Sequence, residues 1–243
     1  MLTKETIQQI EGASVKDGLA AVAMMFPGQV VFSSSLGQED QVITDIVFKN
    51  NIPVKVFTID TGRLFNENYE LLDKTTARYK KQVQVYFPEA ADVEEFVAKK
   101  GINSFYESVD NRKECCHIRK VKPLNRALVG AKVWITGLRA DQSANRNEMP
   151  MIEWDDKRQL YKYNPLINWT YTEVQDYIKE YNVPYNNLHD KGFLSIGCAP
   201  CTRATGPGED PRAGRWWWEL SQKECGLHSD RSINTNSKEN SSV

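Results

Sequence analysis

The chain has no long apolar run. Nothing in its 243 residues approaches the ~20 consecutive apolar positions that span a bilayer. It also has almost no net charge, −1 at pH 7 from 31 basic and 32 acidic residues. That balance argues against nucleic acid or an anionic membrane as the main partner. The opening Met1-Leu2-Thr3-Lys4-Glu5 lacks the basic and apolar regions of a secretion signal, so a cytoplasmic location is expected. Neither an internal repeat nor an interdomain linker is present. What remains is one domain of ordinary composition, 40% hydrophobic and 26% charged, long enough to bury a substantial core. The Ser/Asn-rich positions 229–243 lack the apolar content to pack, and read as a disordered polar tail behind a domain of residues 1–228.

Cysteine is also scarce, five in all, but its distribution is informative. Four fall in two pairs, Cys115-Cys116 and Cys198-x-x-Cys201, and Cys225 stands alone ahead of the tail. In a reducing compartment such pairs are more often metal or redox ligands than structural disulfides. Four thiolates suit either zinc or an iron–sulfur centre. Adjacent helical residues point about 100° apart, which strains a single-ion site; a multi-iron cluster spreads its ligands more widely and tolerates the adjacency better. A thioredoxin-type role for Cys198 and Cys201 is a third option that leaves Cys115-Cys116 unexplained. Arg112, Lys113, Arg119, Lys120, Lys122 and Arg126 flank the first pair, and Arg203, Arg212 and Arg215 follow the second. So many cations exceed what an anionic cluster needs and leave some to receive an anionic substrate. Trp216-Trp217-Trp218 is expected to pack or to form a platform. Cys225 lies three residues before His228, and a nearby histidine or arginine would raise its thiolate fraction.

Periodicity predicts an α/β fold. Residues 3–26 read as one helix, with Ile7, Ile10, Leu19, Val22 and Phe26 on its buried stripe, stopped by Pro27-Gly28. Short apolar runs at 30–32, 54–59, 83–87 and 133–137 read as buried strands separated by helical segments, which implies a mostly parallel sheet flanked by helices. A hairpin is expected around Asp155-Asp156, and Thr170-x-x-Glu173 has the form of a capping box. In such sheets ligands bind beyond the carboxyl ends of the strands. Three of those ends are polar: Ser33-Ser34-Ser35-Leu36-Gly37, Asp60-Thr61-Gly62, and the loop from Gly137 that carries Arg139 and Arg146. The serine loop precedes a helix start, where backbone N–H groups and the helix dipole favour phosphate.

The runs Asn111 to Lys120, Ile196 to Thr202, Gly214 to Glu219 and Lys223-Glu224-Cys225-Gly226-Leu227-His228 closely resemble the assimilatory adenylyl-sulfate (adenosine 5′-phosphosulfate) reductases, from about Val30 to His228. The resemblance implies a Rossmann-like, adenine nucleotide alpha hydrolase-like fold. It implies a [4Fe–4S] cluster on Cys115, Cys116, Cys198 and Cys201, with Cys225 as the nucleophile. Ser33, Ser34, Ser35 and Gly37 would wrap the nucleotide phosphate, and Asp60, Thr61 and Gly62 would contact the adenosine. Lys120, Arg146, Arg212 and Arg215 would bind the sulfate and phosphate, with Arg139 on the same loop. Adenosine 5′-phosphosulfate would be the substrate and thioredoxin the reductant, with no nucleic acid or membrane partner; a homo-oligomer stays open. Position 117 carries His where a small residue is common. Three alternatives stand beside this reading: a 3′-phosphoadenylyl-sulfate reductase, an adenylating pyrophosphatase (whose paired loop glycines Ser33 to Gly37 lacks), and a non-enzymatic zinc-bound nucleotide module.

Overall fold

The computed structural model describes residues 1–142 and 149–219. Cys225, His228, Arg146 and the polar tail therefore lie outside the described residues. The single helix expected over 3–26 is two, α1 (Lys4–Glu11) and α2 (Val15–Met25). Ser14 causes the break: its backbone is extended (φ −62°, ψ 155°), and its hydroxyl accepts the Asp17 N–H at 3.1 Å, starting a new helix rather than continuing the old one.

The chain then alternates β1 (Val30–Ser34), α3 (Gln38–Lys49), β2 (Lys55–Ile59), α4 (Asn66–Tyr79), β3 (Gln84–Tyr86) and α5 (Ala90–Lys100). Helices α6 (Val109–Cys116) and α7 (Lys122–Ala127) precede β4 (Val133–Ile135). The hairpin β5 (Ile152–Asp155) and β6 (Leu160–Tyr163) follows, and α8 (Tyr171–Tyr181) is the last long helix described. The expected hairpin turn is fixed by Asp155, whose carboxylate accepts the Arg158 N–H and guanidinium at 2.9 and 2.8 Å. The expected capping box opens α8, with the Glu173 carboxylate accepting the Thr170 N–H at 2.7 Å.

The six strands are ordered β3-β2-β1-β4-β6-β5, all parallel except the edge strand β5. The alternation of side chains along β1 builds both faces of the core. Val30 and Phe32 join Val22, Ile43, Val47, Val174 and Ile178 beneath α2, α3 and α8, while Val31 joins Phe57, Leu124, Leu128 and Trp134 beneath α7. Each fully buried side chain of this kind contributes roughly 1.5–3 kcal/mol over an exposed one. With β2 on one side of β1 and β4 on the other, the chain reverses direction across the sheet here, and a crevice opens beyond the carboxyl ends of these strands.

Candidate active site

A cavity of about 440 Å³ fills that crevice. Its wall brings together Ser33, Ser34, Ser35, Gly37, Thr61, Lys120, Arg139, Arg212 and Arg215 of the expected site, with Cys198 of the second cysteine pair. Asp60 and Gly62 support the wall from behind. One Asp60 oxygen accepts the Gly62 N–H at 2.7 Å and the other accepts the Tyr69 hydroxyl at 2.9 Å, so the carboxylate is spent on fixing its own turn.

The serine loop is held by residues that local pattern does not reveal. Leu36 sits in the left-handed region (φ 63°), and its N–H donates to the Ser34 hydroxyl at 3.1 Å. The Ser35 N–H and hydroxyl both donate to Asp40 Oδ2 at 2.6 Å. Asp40 is buried, and burial is the main force that raises its pKa to about 7; the Ser35 hydrogen bonds pull the other way. Gly137, at the end of β4, is what makes room for it. A Cβ there would stand 2.0 Å from Asp40 Oδ1, so this strand end must be glycine for the carboxylate to pass. Trp134 donates its indole N–H to the Ser33 hydroxyl at 2.7 Å. Gly37 caps α3 without a side-chain bond, which aims the first N–H groups of the helix at the cavity. Arg139 is 4% exposed and turned inward, paired to Glu39 at 2.9 Å and Asp141 at 3.2 Å. Glu39 also accepts from Gln142 at 2.9 Å. Neither Glu39 nor Asp40 stands out in the sequence, because each matters through a partner on another element.

The cysteine region adjoins this cavity. Helix α6 does not run regularly into α7. His117–Val121 form one π-helical turn, in which the Lys122 N–H donates to the His117 carbonyl five residues back. Pro123 explains the widening: it has no N–H to give the Arg119 carbonyl, so the regular ladder cannot close there. The turn buries Ile118 and Arg119 and points Arg119 Nη1 to the Thr61 carbonyl at 2.7 Å. Lys120, on this widened turn, lines the cleft beside the thiols, and its charge offsets part of the burial that raises the pKa of Cys115 and Cys201.

Cys198 precedes a short 3₁₀ turn, Ala199–Cys201, which is anchored by the Ala199 N–H to the Arg63 carbonyl at 2.8 Å and the Trp216 N–H to the Cys201 carbonyl at 3.1 Å. The first link ties the second cysteine pair to the loop after β2. Cys115, Cys116, Cys198 and Cys201 are all unbridged and line one narrow cleft with Arg63, Arg112, Arg119 and Lys120. Thr61 Oγ1 lies 3.2 Å from Cys198 Sγ. Burial pushes the Cys201 thiol up to about 12 and raises Cys115 as well; a positively charged metal group would reverse that balance.

Arg112 binds Glu219 in a bidentate pair, 2.9 and 2.8 Å, with both side chains 3% exposed. The pair clamps α6 to the end of the tryptophan run. Of that run, Trp216 is buried against the guanidinium groups of Arg112 and Arg215 at 4.7 and 4.8 Å, and Trp218 meets Tyr106 edge to face at 4.4 Å. Packing is thus the role of these two, while Trp217 stays 41% exposed. Gly197 lets the Arg215 guanidinium lie against its backbone, since a Cβ would meet Nη2 at 2.3 Å.

Among the described residues, no three His, Cys, Asp or Glu side chains stand together as ligands for one metal ion. The donor chemistry of the cleft fits a larger group: four thiols, cationic walls, and a carboxylate that is already spent on Arg112.

Fold and site together define an α/β protein with a cation-bearing cavity at its strand ends, beside a four-cysteine cleft. The family model of the phosphoadenosine phosphosulfate reductase domain matches residues 29–204, and the chain belongs to this family. It is 50% identical over 202 residues to an adenosine 5′-phosphosulfate reductase of Agrobacterium fabrum, covering 83% of this chain and 78% of that protein. It is 45% identical over 228 residues to an adenosine 5′-phosphosulfate reductase of Allochromatium vinosum, covering 93% and 88%. Among solved structures, a phosphoadenylyl-sulfate (PAPS) reductase from Candida auris in complex with phosphate superposes with a TM-score of 0.70 at 31% identity, over 84% of this chain and 98% of that one. The fold expected from the sequence is the fold observed.

Proposed function

We propose that the chain reduces adenosine 5′-phosphosulfate to sulfite and AMP, with thioredoxin as the reductant and the cytoplasm as its location. One observation carries the reading most: Lys120 and Cys198 line both the nucleotide-sized cavity and the cysteine cleft. An anion bound there lies against the cysteine region, with Arg212 and Arg215 on the same wall. Relatives of 45–50% identity bear the name of this activity.

The chemistry follows from the inventory. The phosphate rests on the first N–H groups of α3 and on the Ser33 and Ser34 hydroxyls of the cavity wall. Lys120, Arg212 and Arg215 offset the charge that would otherwise repel an attacking thiolate. The Cys225 thiolate attacks the sulfur, the bond from sulfur to the phosphate oxygen breaks, and AMP leaves with that electron pair, giving S-sulfocysteine. A thioredoxin thiolate then attacks Cys225 Sγ, sulfite leaves with the electrons of its bond to that sulfur, and the second thioredoxin thiol resolves the mixed disulfide. Cys225 returns as thiolate and thioredoxin is left oxidised. Cys115, Cys116, Cys198 and Cys201 would hold a [4Fe–4S] cluster, which when bound supplies fixed charge and a covalent tie beside the site. Iron and acid-labile sulfide in the anaerobically purified protein support that assignment; zinc alone overturns it.

The deciding variant is Cys225→Ser. It is expected to bind AMP like the parent, to lose sulfite production by on the order of 10³-fold or more, and to form no sulfo-adduct by mass spectrometry. Continued sulfite release rules the mechanism out. A comparison of rates on the substrate with and without a 3′-phosphate separates this activity from its phosphorylated counterpart.

A further inference from the structure

Among the described residues, two uncharged side chains of the cavity wall, Asn68 and His189, have buried polar atoms with no hydrogen-bond partner. Asn68, near the start of α4, is 3% exposed, and its Oδ1 accepts no hydrogen bond. His189 opens a short 3₁₀ turn, His189–Lys191, and both of its ring nitrogens are buried and unbonded. The Phe193 backbone acts on the ring electrostatically, but neither ring nitrogen has a partner in hydrogen-bond geometry among the described residues. Desolvation lowers the pKa of the ring and keeps it neutral. The two segments form one wall: Phe65 meets Phe193 edge to face at 5.6 Å, and Lys191 pairs with Glu67 at 3.6 Å.

A buried polar atom left without a partner destabilises the fold. Two such side chains facing one cavity are therefore better explained by a partner that arrives with the ligand than by packing. Their chemistry restricts that partner. An amide oxygen accepts only, so it does not suit a phosphate or a sulfate, and a neutral imidazole offers one donor and one acceptor, which calls for a ligand group that donates as well as accepts. The anion-binding groups, the serine loop with Lys120, Arg212 and Arg215, belong to other parts of the wall.

We propose that Asn68 and His189 form the subsite for the neutral half of the ligand, reading the polar edge of the base or the hydroxyls of the ribose. This rests on the assignment of an adenosine-linked anion as substrate. The test is calorimetric titration of the full chain with AMP, 2′-deoxy-AMP, IMP and inorganic phosphate. Asn68→Ala and His189→Leu are each expected to weaken AMP about tenfold while leaving inorganic phosphate unchanged, and His189→Gln to recover part of the loss. Where the base is read, the preference for AMP over IMP shrinks in the variants; where the ribose is read, the preference over 2′-deoxy-AMP shrinks. Either outcome supports the subsite and identifies the contact. Unchanged AMP affinity overturns it, and so does an equal loss for AMP and phosphate, which marks a merely structural effect. Asn68→Ser and His189→Gln serve as the smaller changes where the larger ones impair folding. A parent protein that neither binds AMP nor forms sulfite overturns the substrate assignment instead.

Discussion

The serine-loop wall and the cysteine cleft share residues but are built on opposite principles. At the loop, charge is cancelled internally: Arg139 is balanced by Glu39 and Asp141, and Asp40 is buried and carries a raised pKa. What that leaves facing the cavity is the start of α3 and the Ser33 and Ser34 hydroxyls. At the cleft, positive charge is retained. Arg63 and Arg119 spend their donors on the neutral oxygens of Ile102, Asn103 and Thr61, and the described carboxylate at its edge, Glu219, is taken by Arg112. One region supplies shape and the other supplies field. On the function proposed above, an anion that spans them would be held by its phosphate and polarised at its far end.

The contrast can be broken most severely at the cleft. Arg112→Ala leaves Glu219 buried without its counter-charge and is expected to cost about 3–5 kcal/mol, read as a fall in the urea midpoint. The paired change Arg112→Met with Glu219→Leu is expected to restore most of the stability. A double variant as unstable as the single one indicates that geometry, rather than the unpaired charge, carries the cost. At the loop, Gly137→Ala drives a methyl group into the Asp40 carboxylate and is expected to cost about 1–3 kcal/mol and to weaken AMP binding through the displaced serine loop. Unchanged thermal stability and AMP affinity would show that the loop can yield.

The smallest effect concerns pH. The Asp40 pKa is raised in the folded protein above its ordinary value of 3.8, to about 7. The folded state thus holds its proton more tightly than the unfolded chain. That contribution is fully present below pH ~4 and is lost as pH rises toward ~7. Asp40→Asn keeps the acceptor for Ser35 and removes the titration. Its stability relative to the parent should therefore improve steadily between these limits, as urea unfolding at several pH values would show. A difference independent of pH would mean that Asp40 stays ionised.

The alternation of strands and helices, the polar strand ends and the hairpin were legible because they rest on local periodicity and turn chemistry. The break at Ser14 was not, because helical spacing of apolar residues continues across it and only the cap interrupts the backbone. The π turn was hidden for a related reason: extrapolating by 3.6 residues per turn assumes an unbroken ladder, and Pro123 breaks it. Asp40, Glu39 and Glu219 are ordinary acidic residues in the sequence; their roles depend on Ser35, Arg139 and Arg112, the last of which lies 107 positions away from its partner. Asn68 and His189 are further still from any motif. An unmet hydrogen bond exists only once the surrounding wall has formed.

The widened turn at His117–Val121 also constrains how this protein can change over generations. Loss of one residue from it would leave Pro123 still unable to close a regular ladder and would shift α7 against α6 by about 1.5 Å along the axis and about 100° around it. Lys120 and Arg119 would then leave the cysteines and Thr61 together, even though no side chain had been altered. Substitutions can accumulate there one at a time, but a change in length cannot. The spacing between Cys116 and Pro123 is therefore expected to be inherited as a single fixed unit.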